Sequence, residues 1–314
     1  MPHAPFVQNG SGRFARTASV SERTRTLLPS PSLLATDWNE EWKSLQAARR
    51  PADDPRTWDQ RAHHFKPRET HPYAASFLEL AHIEPGERVL DMGCGAGSLA
   101  IPLALQGSSV LACDFSPAML DVLERESCIT EVADQIETKL LAWDDDWNTA
   151  GIADKSVDVA IASRSIATRD LKGALTKLDL AARRRCCITL VAGPSPHHDP
   201  VIMNAIGEPV IVSNDFAYAF AILLGMNRLP EITYIRSPRR DTFESIDEAL
   251  AACSRMLDQP EKSTIARLRL YLENHLVPNP HAGEPGSKGK PQGGLMLDHI
   301  RTVTWAFVSW NPVA

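Results

Sequence analysis

Apolar residues follow two alternating patterns along the middle of this chain. Short continuous apolar runs, each bounded by turn residues, predict strands near 87–92, 109–114, 136–142, 157–163 and 185–192. Segments with helical spacing lie between these runs. Strands that are apolar at successive positions are typical of a sheet covered on both faces. Because strands and helices alternate, the pattern predicts a parallel, doubly wound α/β sheet.

The two flanks of this central region have a different pattern. Helices are predicted before it at 38–49, 53–65 and 72–83, and after it at 199–206, 215–226, 245–257 and 262–275. A sixth strand is predicted at 231–235, a last strand at 300–310, and a loop rich in proline and glycine at 278–294. The chain therefore has segments for a seven-stranded sheet with additional helices at both ends.

Residues 1–36 differ from the rest in charge and composition. They carry four arginines and one acidic residue, with serine, glycine and proline scattered between them. A transit peptide shares this charge balance, but the prolines interrupt any amphipathic helix. The stretch is predicted to be a disordered tail.

Bulk composition restricts the classes of partner. The 314 residues carry a net charge of −6, which is not the basic balance typical of nucleic-acid-binding proteins. No apolar run has the length needed to cross a membrane. The six cysteines form no C-x-x-C pair. A reduced, cytoplasmic compartment is therefore expected, with neither nucleic acid nor membrane as a partner.

Residues 91–97, Asp-Met-Gly-Cys-Gly-Ala-Gly, follow the first predicted strand and precede a helix. Alternate glycines let the backbone turn sharply and approach a ligand closely, and a helix N-terminus presents free N–H groups. A dinucleotide motif would need glycine or alanine where Ser98 stands. Asp91 would also repel a pyrophosphate, whereas it suits the cationic amino-acid end of S-adenosylmethionine. A dehydrogenase remains an alternative that NADH fluorescence would decide.

The chain resembles the class I S-adenosylmethionine-dependent methyltransferases. Their first motif is an acid followed by x-G-x-G-x-G, as in residues 91–97 here, and a second acid ends the next strand, where Asp114 lies 23 residues after Asp91. Ser116-Pro117 then starts a helix, with serine as the cap and proline at the first position. The resemblance implies a Rossmann-like sheet, N-terminal lid helices and a last strand that is antiparallel and lies next to the sixth.

The resemblance also implies which residues bind the cofactor. Asp114 accepts the ribose hydroxyls, the loop after the third strand contacts adenine, and an aromatic residue of the lid covers the cofactor. A solvated acidic turn with two core tryptophans is the alternative for that loop. The cofactor-binding candidates are Asp91, Gly93, Cys94, Gly95, Gly97, Asp114, Phe115, Trp143, Asp144, Ser163 and Phe65.

Candidates for the acceptor side are fewer. Arg164 follows the fourth strand, where ligands of open sheets bind. It is suited either to orient an anionic acceptor or to pair with Asp170 or a carboxylate of a neighbouring loop. His64 and His197 are candidate bases, with a surface position as the alternative. No further ligand completes a metal site around His197, so no metal is predicted. Ser-Arg-Ser-Ile at 163–166 lacks the motif of DNA base methyltransferases and disfavours that activity.

These features together predict a single methyltransferase domain over residues 37–314. Within it, 37–84 is a helical lid, 85–193 the cofactor-binding half and 194–314 the acceptor-side half. The expected reaction is direct transfer of a methyl group from S-adenosylmethionine to a small molecule. A cofactor-binding accessory protein without turnover and a protein or RNA methyltransferase are the alternatives. The accepting atom and the oligomeric state are not predicted.

Overall fold

The computed structural model describes residues 32–49, 55–62, 72–166, 168–286 and 291–313. Its helices are α1 Ser32–Ala35, α2 Trp38–Ala48, α3 Pro55–Ala62, α4 Pro72–Ala81, α5 Ala100–Leu105, α6 Pro117–Ile129, α7 Leu171–Ala181, α8 Pro200–Ala205, α9 Asp215–Gly225, α10 Ile246–Ser254 and α11 Lys262–His275. Most of the predicted tail, residues 1–31, lies outside this range, and its end forms the single turn α1.

The described chain also contains twelve strands. They are β1 Arg88–Met92, β2 Ser109–Asp114, β3 Ile136–Leu140, β4 Val157–Ser163, β5 Ala182–Val191, β6 Gly193–Pro194, β7 Val212–Ser213, β8 Glu231–Arg239, β9 Thr242–Phe243, β10 Leu276–Pro278, β11 Leu295–Leu297 and β12 Arg301–Trp310. A 3-10 turn at Ala133–Gln135 precedes β3.

Seven strands form one sheet in the order β3-β2-β1-β4-β5-β12-β8. Pairing from β3 to β5 is parallel, and β12 lies antiparallel between β5 and β8. The predicted fold class, a mostly parallel, doubly wound, seven-stranded sheet, is thus confirmed.

The structure differs from the predicted strands mainly beyond residue 235. The polar residues 236–239 continue β8 because the antiparallel partner β12 supplies the backbone hydrogen bonds, so that Arg239 lies opposite Arg301. Two small sheets, β6-β7 and β10-β11-β9, were not predicted, and Pro278 of the predicted loop belongs to β10. Such two- and three-residue strands are too short to give a periodic pattern.

Helices cover both faces of the large sheet. On one face, α4, α5 and α6 bury a cluster that includes Phe77, Leu103 and Leu123. On the other, α2, α7 and α9 bury a cluster that includes Trp42 and Leu175. This double cover explains why the central strands are apolar at successive positions.

One edge of the sheet brings the predicted site residues together. The carboxyl ends of β1, β2, β4, β5 and β8 lie there, together with the start of β12. The chain proceeds from β1 toward β3 on one side and from β4 toward β5 on the other, so the strand order reverses between β1 and β4. Ligands of open α/β sheets bind at this switch point.

A smaller apolar core lies outside the sheet layers. It joins α8, α10 and α11 through buried residues including Ile202, Cys253 and Leu268. Among the helices that the structure describes, none is long and apolar enough to cross a bilayer.

Candidate functional site

The turn after β1 is held against the neighbouring strands. The backbone N–H groups of Gly93 and Cys94 both donate to the carbonyl of Cys113, at 2.7 and 3.0 Å. Gly93 has a φ of +75°, and a Cβ built on it would lie 2.2 Å from Cβ of Ser165. The first glycine is therefore required by the close approach of the β4 end as well as by its own backbone conformation.

The other two glycines face different surroundings. A Cβ on Gly97 would lie 2.3 Å from Cδ1 of Leu123 in α6, so this glycine permits helix packing. Gly95 has a φ of +53°, and a Cβ there would meet nothing within 4 Å. Cys94, which precedes Gly95, is buried, and burial raises the pKa of its thiol well above the ordinary value. Gly95 is thus the point where the turn opens to a ligand.

Asp91 has a carboxyl oxygen that the protein leaves unsatisfied. Its side chain is 1% exposed, and within the described part of the chain Oδ2 has no hydrogen-bond partner. Burial first, and then the charge of Asp114, raise the pKa of Asp91 to about 7. A buried carboxylate without a partner is costly, and a cation placed beside it would remove that cost.

Asp114 ends β2 beside the same turn. Its Oδ2 accepts from Gly95 N at 2.8 Å and its Oδ1 from Ser116 N at 2.9 Å. Burial raises its pKa, although these backbone hydrogen bonds oppose the effect. Asp114 therefore shapes the turn, and each oxygen keeps a lone pair for a further donor. Phe115, the next residue, is half-buried.

The helix α3 is attached directly beside Asp114. Asp59 of α3 accepts a hydrogen bond from Oγ of Ser116 at 2.6 Å. That hydroxyl also caps α6 by accepting from Met119 N at 3.2 Å. The lid candidate Phe65 and the base candidate His64, which follow α3, lie outside the described residues.

The acidic loop after β3 contributes one fixed aromatic side chain. The indole N–H of Trp143 donates to the carbonyl of Ser165 at 2.9 Å, and its ring lies 5.5 Å from that of Trp147. Lys177 donates to the carbonyl of Trp143 at 2.6 Å. Asp144 is exposed. The loop thus reaches the switch point through Trp143, whereas Asp144 faces solvent.

Three hydroxyl groups connect the ends of β4 and β5. The hydroxyl of Tyr73 in α4 lies 2.8 Å from Oγ of Ser163 and 2.7 Å from Oγ1 of Thr189. Thr189 also accepts from Arg164 N at 3.0 Å. Burial raises the pKa of Tyr73, so its phenol stays protonated. These contacts fix the backbone that carries Arg164.

Arg164 is exposed and stacks on an aromatic ring instead of pairing with an acid. It has a φ of +58°, and its guanidinium carbon lies 4.3 Å from the ring centroid of Tyr73. The alternative partner, Asp170, caps α7 and accepts from Gly173 N at 3.1 Å and Asn39 Nδ2 at 2.9 Å. Within the described part of the chain, Arg164 thus forms no ion pair with Asp170 or with another carboxylate.

The segment His197-His198-Asp199 has a structural role at Asp199. This side chain is fully buried, accepts from Val201 N at 2.9 Å to cap α8, and lies 2.9 Å from Nε2 of His299. His197 is exposed. Within the described ranges no group of three or more His, Cys, Asp or Glu side chains is placed to hold a metal ion.

Several site residues have no motif that identifies them in the sequence. Tyr73, Ser165, Thr189 and Asp59 reach the site through tertiary contacts alone. Of these residues, only Thr189 has a signal in the sequence, which is a hydroxyl near the end of the fifth predicted strand.

Comparison with known proteins finds a methyltransferase domain in the middle of the chain. Residues 89–183 match the family model described as a methyltransferase domain. An uncharacterized protein of Haemophilus influenzae is 28% identical over 248 residues, covering 76% of this chain and 81% of that protein.

Two relatives with named activities match shorter segments. A ubiquinone biosynthesis O-methyltransferase of Hahella chejuensis is 40% identical over 68 residues, 21% of this chain and 28% of that protein. A 23S rRNA (uracil(1939)-C(5))-methyltransferase of Alkalilimnicola ehrlichii is 34% identical over 79 residues, 24% of this chain and 18% of that protein. The family match over residues 89–183, together with the sheet order and the glycine turn beside two acids, shows that the chain contains a methyltransferase domain of the class I, S-adenosylmethionine-dependent type.

Proposed function

We propose that this enzyme methylates a small molecule at the sheet edge beside Arg164, with S-adenosylmethionine held at the glycine turn. The cofactor supplies an electrophilic methyl group on a sulfonium, which an acceptor takes up by direct displacement. The chain's own contribution is to align the acceptor and exclude water.

The cofactor half of the proposal is supported by unsatisfied groups on the turn. Asp91 Oδ2, buried without a partner, suits the cofactor's ammonium group. The open face at Gly95 admits close approach, and the remaining lone pairs of Asp114 suit a ribose diol. Phe115, Trp143, Asp144 and Ser163 lie on the neighbouring strand ends and loop, and we propose that they line the same cleft.

The observation that carries the small-molecule proposal is a wall on the acceptor side, built from two segments that hydrogen bonds join. The segment after β5 is joined to the start of β12 by the 2.9 Å contact of Asp199 with His299. Arg301 adds hydrogen bonds to the carbonyls of Pro196 and His198 at 3.0 and 3.2 Å. The core of α8, α10 and α11 supports this wall. We propose that this wall borders a recess, which favours a compact acceptor over a polymer.

The side chains at the recess are suited to positioning more than to proton removal. An arginine stays protonated in proteins, so Arg164 orients an acceptor and does not act as a base. A thiolate or imine acceptor needs no base, and an oxygen or protonated amine acceptor needs one. His197 is exposed at the rim and is the candidate for that role within the described residues.

Cofactor affinity is expected to rise by about tenfold between pH 6 and pH 8. With the pKa of Asp91 at about 7, its carboxyl is mostly protonated at the lower pH and mostly ionised at the higher. Only the ionised form pairs with an ammonium group. Titration of S-adenosylhomocysteine by calorimetry at both pH values measures the change, and at pH 6 binding should release a proton.

The raised pKa of Asp91 also determines how the free energy of unfolding changes with pH. Because the folded form holds this proton to a higher pH than the unfolded form does, Asp91 lowers the free energy of unfolding as the pH rises from about 4 to about 7. A cofactor affinity that does not change with pH would contradict the assignment of Asp91 to the cofactor's ammonium group. A pH dependence that Asp91→Asn leaves unchanged would also contradict it.

The proposed function is tested by following a labelled methyl group. The full-length enzyme is incubated with methyl-labelled S-adenosylmethionine and a bacterial extract separated into small molecules, RNA and protein. Label is expected in the small-molecule fraction. Label confined to RNA or protein refutes the proposal, and cofactor binding without transfer to any fraction indicates an accessory protein.

A further inference from the structure

Arg239 at the end of β8 is an exception among the arginines of this protein. Five arginines in the described ranges are half-buried. Four have a carboxylate within 4.0 Å: Arg49 with Asp215, Arg185 with Glu231, Arg228 with Asp179 and Arg301 with Asp241. No described residue forms a hydrogen bond or ion pair with the side chain of Arg239. A partly buried cation without a partner costs free energy unless a ligand supplies the charge.

The charges around Arg239 make this cost larger. It lies directly opposite Arg301 in the antiparallel register, and directly opposed like charges destabilise a sheet. Arg301 directs Nη2 to Asp241 and Nη1 to the wall carbonyls. Burial first, then the charges of Arg301 and Arg164, lower the pKa of Arg239. The three guanidinium groups thus have one neighbouring carboxylate, Asp241, among the described residues.

A further unpaired donor lies next to Arg164. Trp305 of β12 is 9% exposed, and within the described chain its indole N–H has no acceptor. The guanidinium of Arg164 lies 5.9 Å from its ring centroid and 4.3 Å from that of Tyr73. Stacking occupies the faces of the guanidinium plane and leaves the N–H groups at its edge available.

We propose that Arg164, Arg239 and the indole N–H of Trp305 bind an anionic group, a carboxylate or a phosphate, on the methyl acceptor. This inference rests on the proposed function, since it places the acceptor beside the switch point. The planar forks of two arginines match the oxygens of either anion. The aromatic rings beneath Arg164 add an apolar surface for the rest of the molecule.

The inference is tested with anionic probes and a matched control on the same strand. Benzoate and phenyl phosphate are titrated separately into the full-length enzyme saturated with S-adenosylhomocysteine. Arg239→Gln is expected to weaken the tighter probe by at least about tenfold, and Arg239→Lys to weaken it less. Arg236→Gln removes an equal charge from an exposed position three residues away, on the opposite face of β8, and should leave affinity unchanged.

The outcomes separate this inference from the proposed function. Whichever probe binds more tightly identifies the anionic group of the acceptor. Weaker binding of that probe by Arg239→Gln, with intact S-adenosylhomocysteine binding, supports the inference. Saturable cofactor binding with no binding of either probe, or equal weakening by Arg236→Gln and Arg239→Gln, overturns it. If the unaltered enzyme does not bind S-adenosylhomocysteine, the proposed function is refuted instead. A single-stranded RNA that displaces the tighter probe would show a polymer site and would also overturn the inference.

Discussion

Asp91→Asn is expected to weaken S-adenosylhomocysteine binding by about 10- to 150-fold while leaving the cofactor-free protein as stable as before, or more stable. The loss corresponds to a charge-assisted hydrogen bond of about 1.5–3 kcal/mol. Stability does not fall, because Oδ2 has no partner in the described chain and its burial raises the pKa of Asp91 to about 7. Calorimetric titration and urea unfolding measure the two quantities.

Asp179→Asn is the matched control. Asp179 is also buried, but it accepts from Arg228 at 2.7 and 2.6 Å and from Trp310 Nε1 at 2.9 Å. Replacing it should lower the free energy of unfolding without changing cofactor affinity, because a paired buried carboxylate is structural. If Asp91→Asn also destabilised the protein and kept its affinity, Asp91 would be a structural residue and the cofactor assignment would be wrong.

Gly95→Ala is expected to reduce cofactor affinity by at least about tenfold at a stability cost of only about 1–2 kcal/mol. Its φ of +53° accounts for the modest cost, and its Cβ would project into open space. That space is where we propose that the cofactor approaches the backbone. Gly207→Ala is the control, because Gly207 has a φ of +75°, equally open surroundings and a position after α8. It should share the stability cost and keep full affinity.

Gly93→Ala should behave in the opposite way. Its Cβ would lie 2.2 Å from Cβ of Ser165, where neither backbone can move freely. Overpacking and the positive φ together predict a loss of about 2–5 kcal/mol of stability. Equal stabilities and affinities for the Gly93→Ala and Gly95→Ala proteins would show that the turn does not have one buried and one open glycine.

The cofactor half of the molecule was largely predictable because its parts are contiguous. A buried strand, an acid, three glycines and a helix occupy residues 88–105, and their local conformations require those residue types. The seven strands also followed from the apolar pattern and the resemblance. The register of the strands and the length of β8 beyond residue 235 did not follow from either.

Apart from Arg164, which its place after the fourth strand indicated, the acceptor side was not predictable, since its parts are far apart in the chain. Tyr73, Arg164, Arg239 and Trp305 come from a helix, the residue after β4, the end of β8 and the middle of β12. Arg239 lies in a polar stretch without alternation, and its opposition to Arg301 exists only in the register of β8 with β12. The roles of Trp143 and Asp144 stay predictions, although the structure shows Trp143 fixed against Ser165.

The sequence by itself determined the sheet class, the glycine turn and the two acids that indicate S-adenosylmethionine, because short-range sterics and charge dictate that turn. Only the tertiary structure decided that Gly95 alone of the three glycines is open, and that no described residue pairs with Oδ2 of Asp91 or with the side chain of Arg239. Burial, register and the pairing of distant side chains depend on how the whole sheet assembles, and no local pattern encodes them.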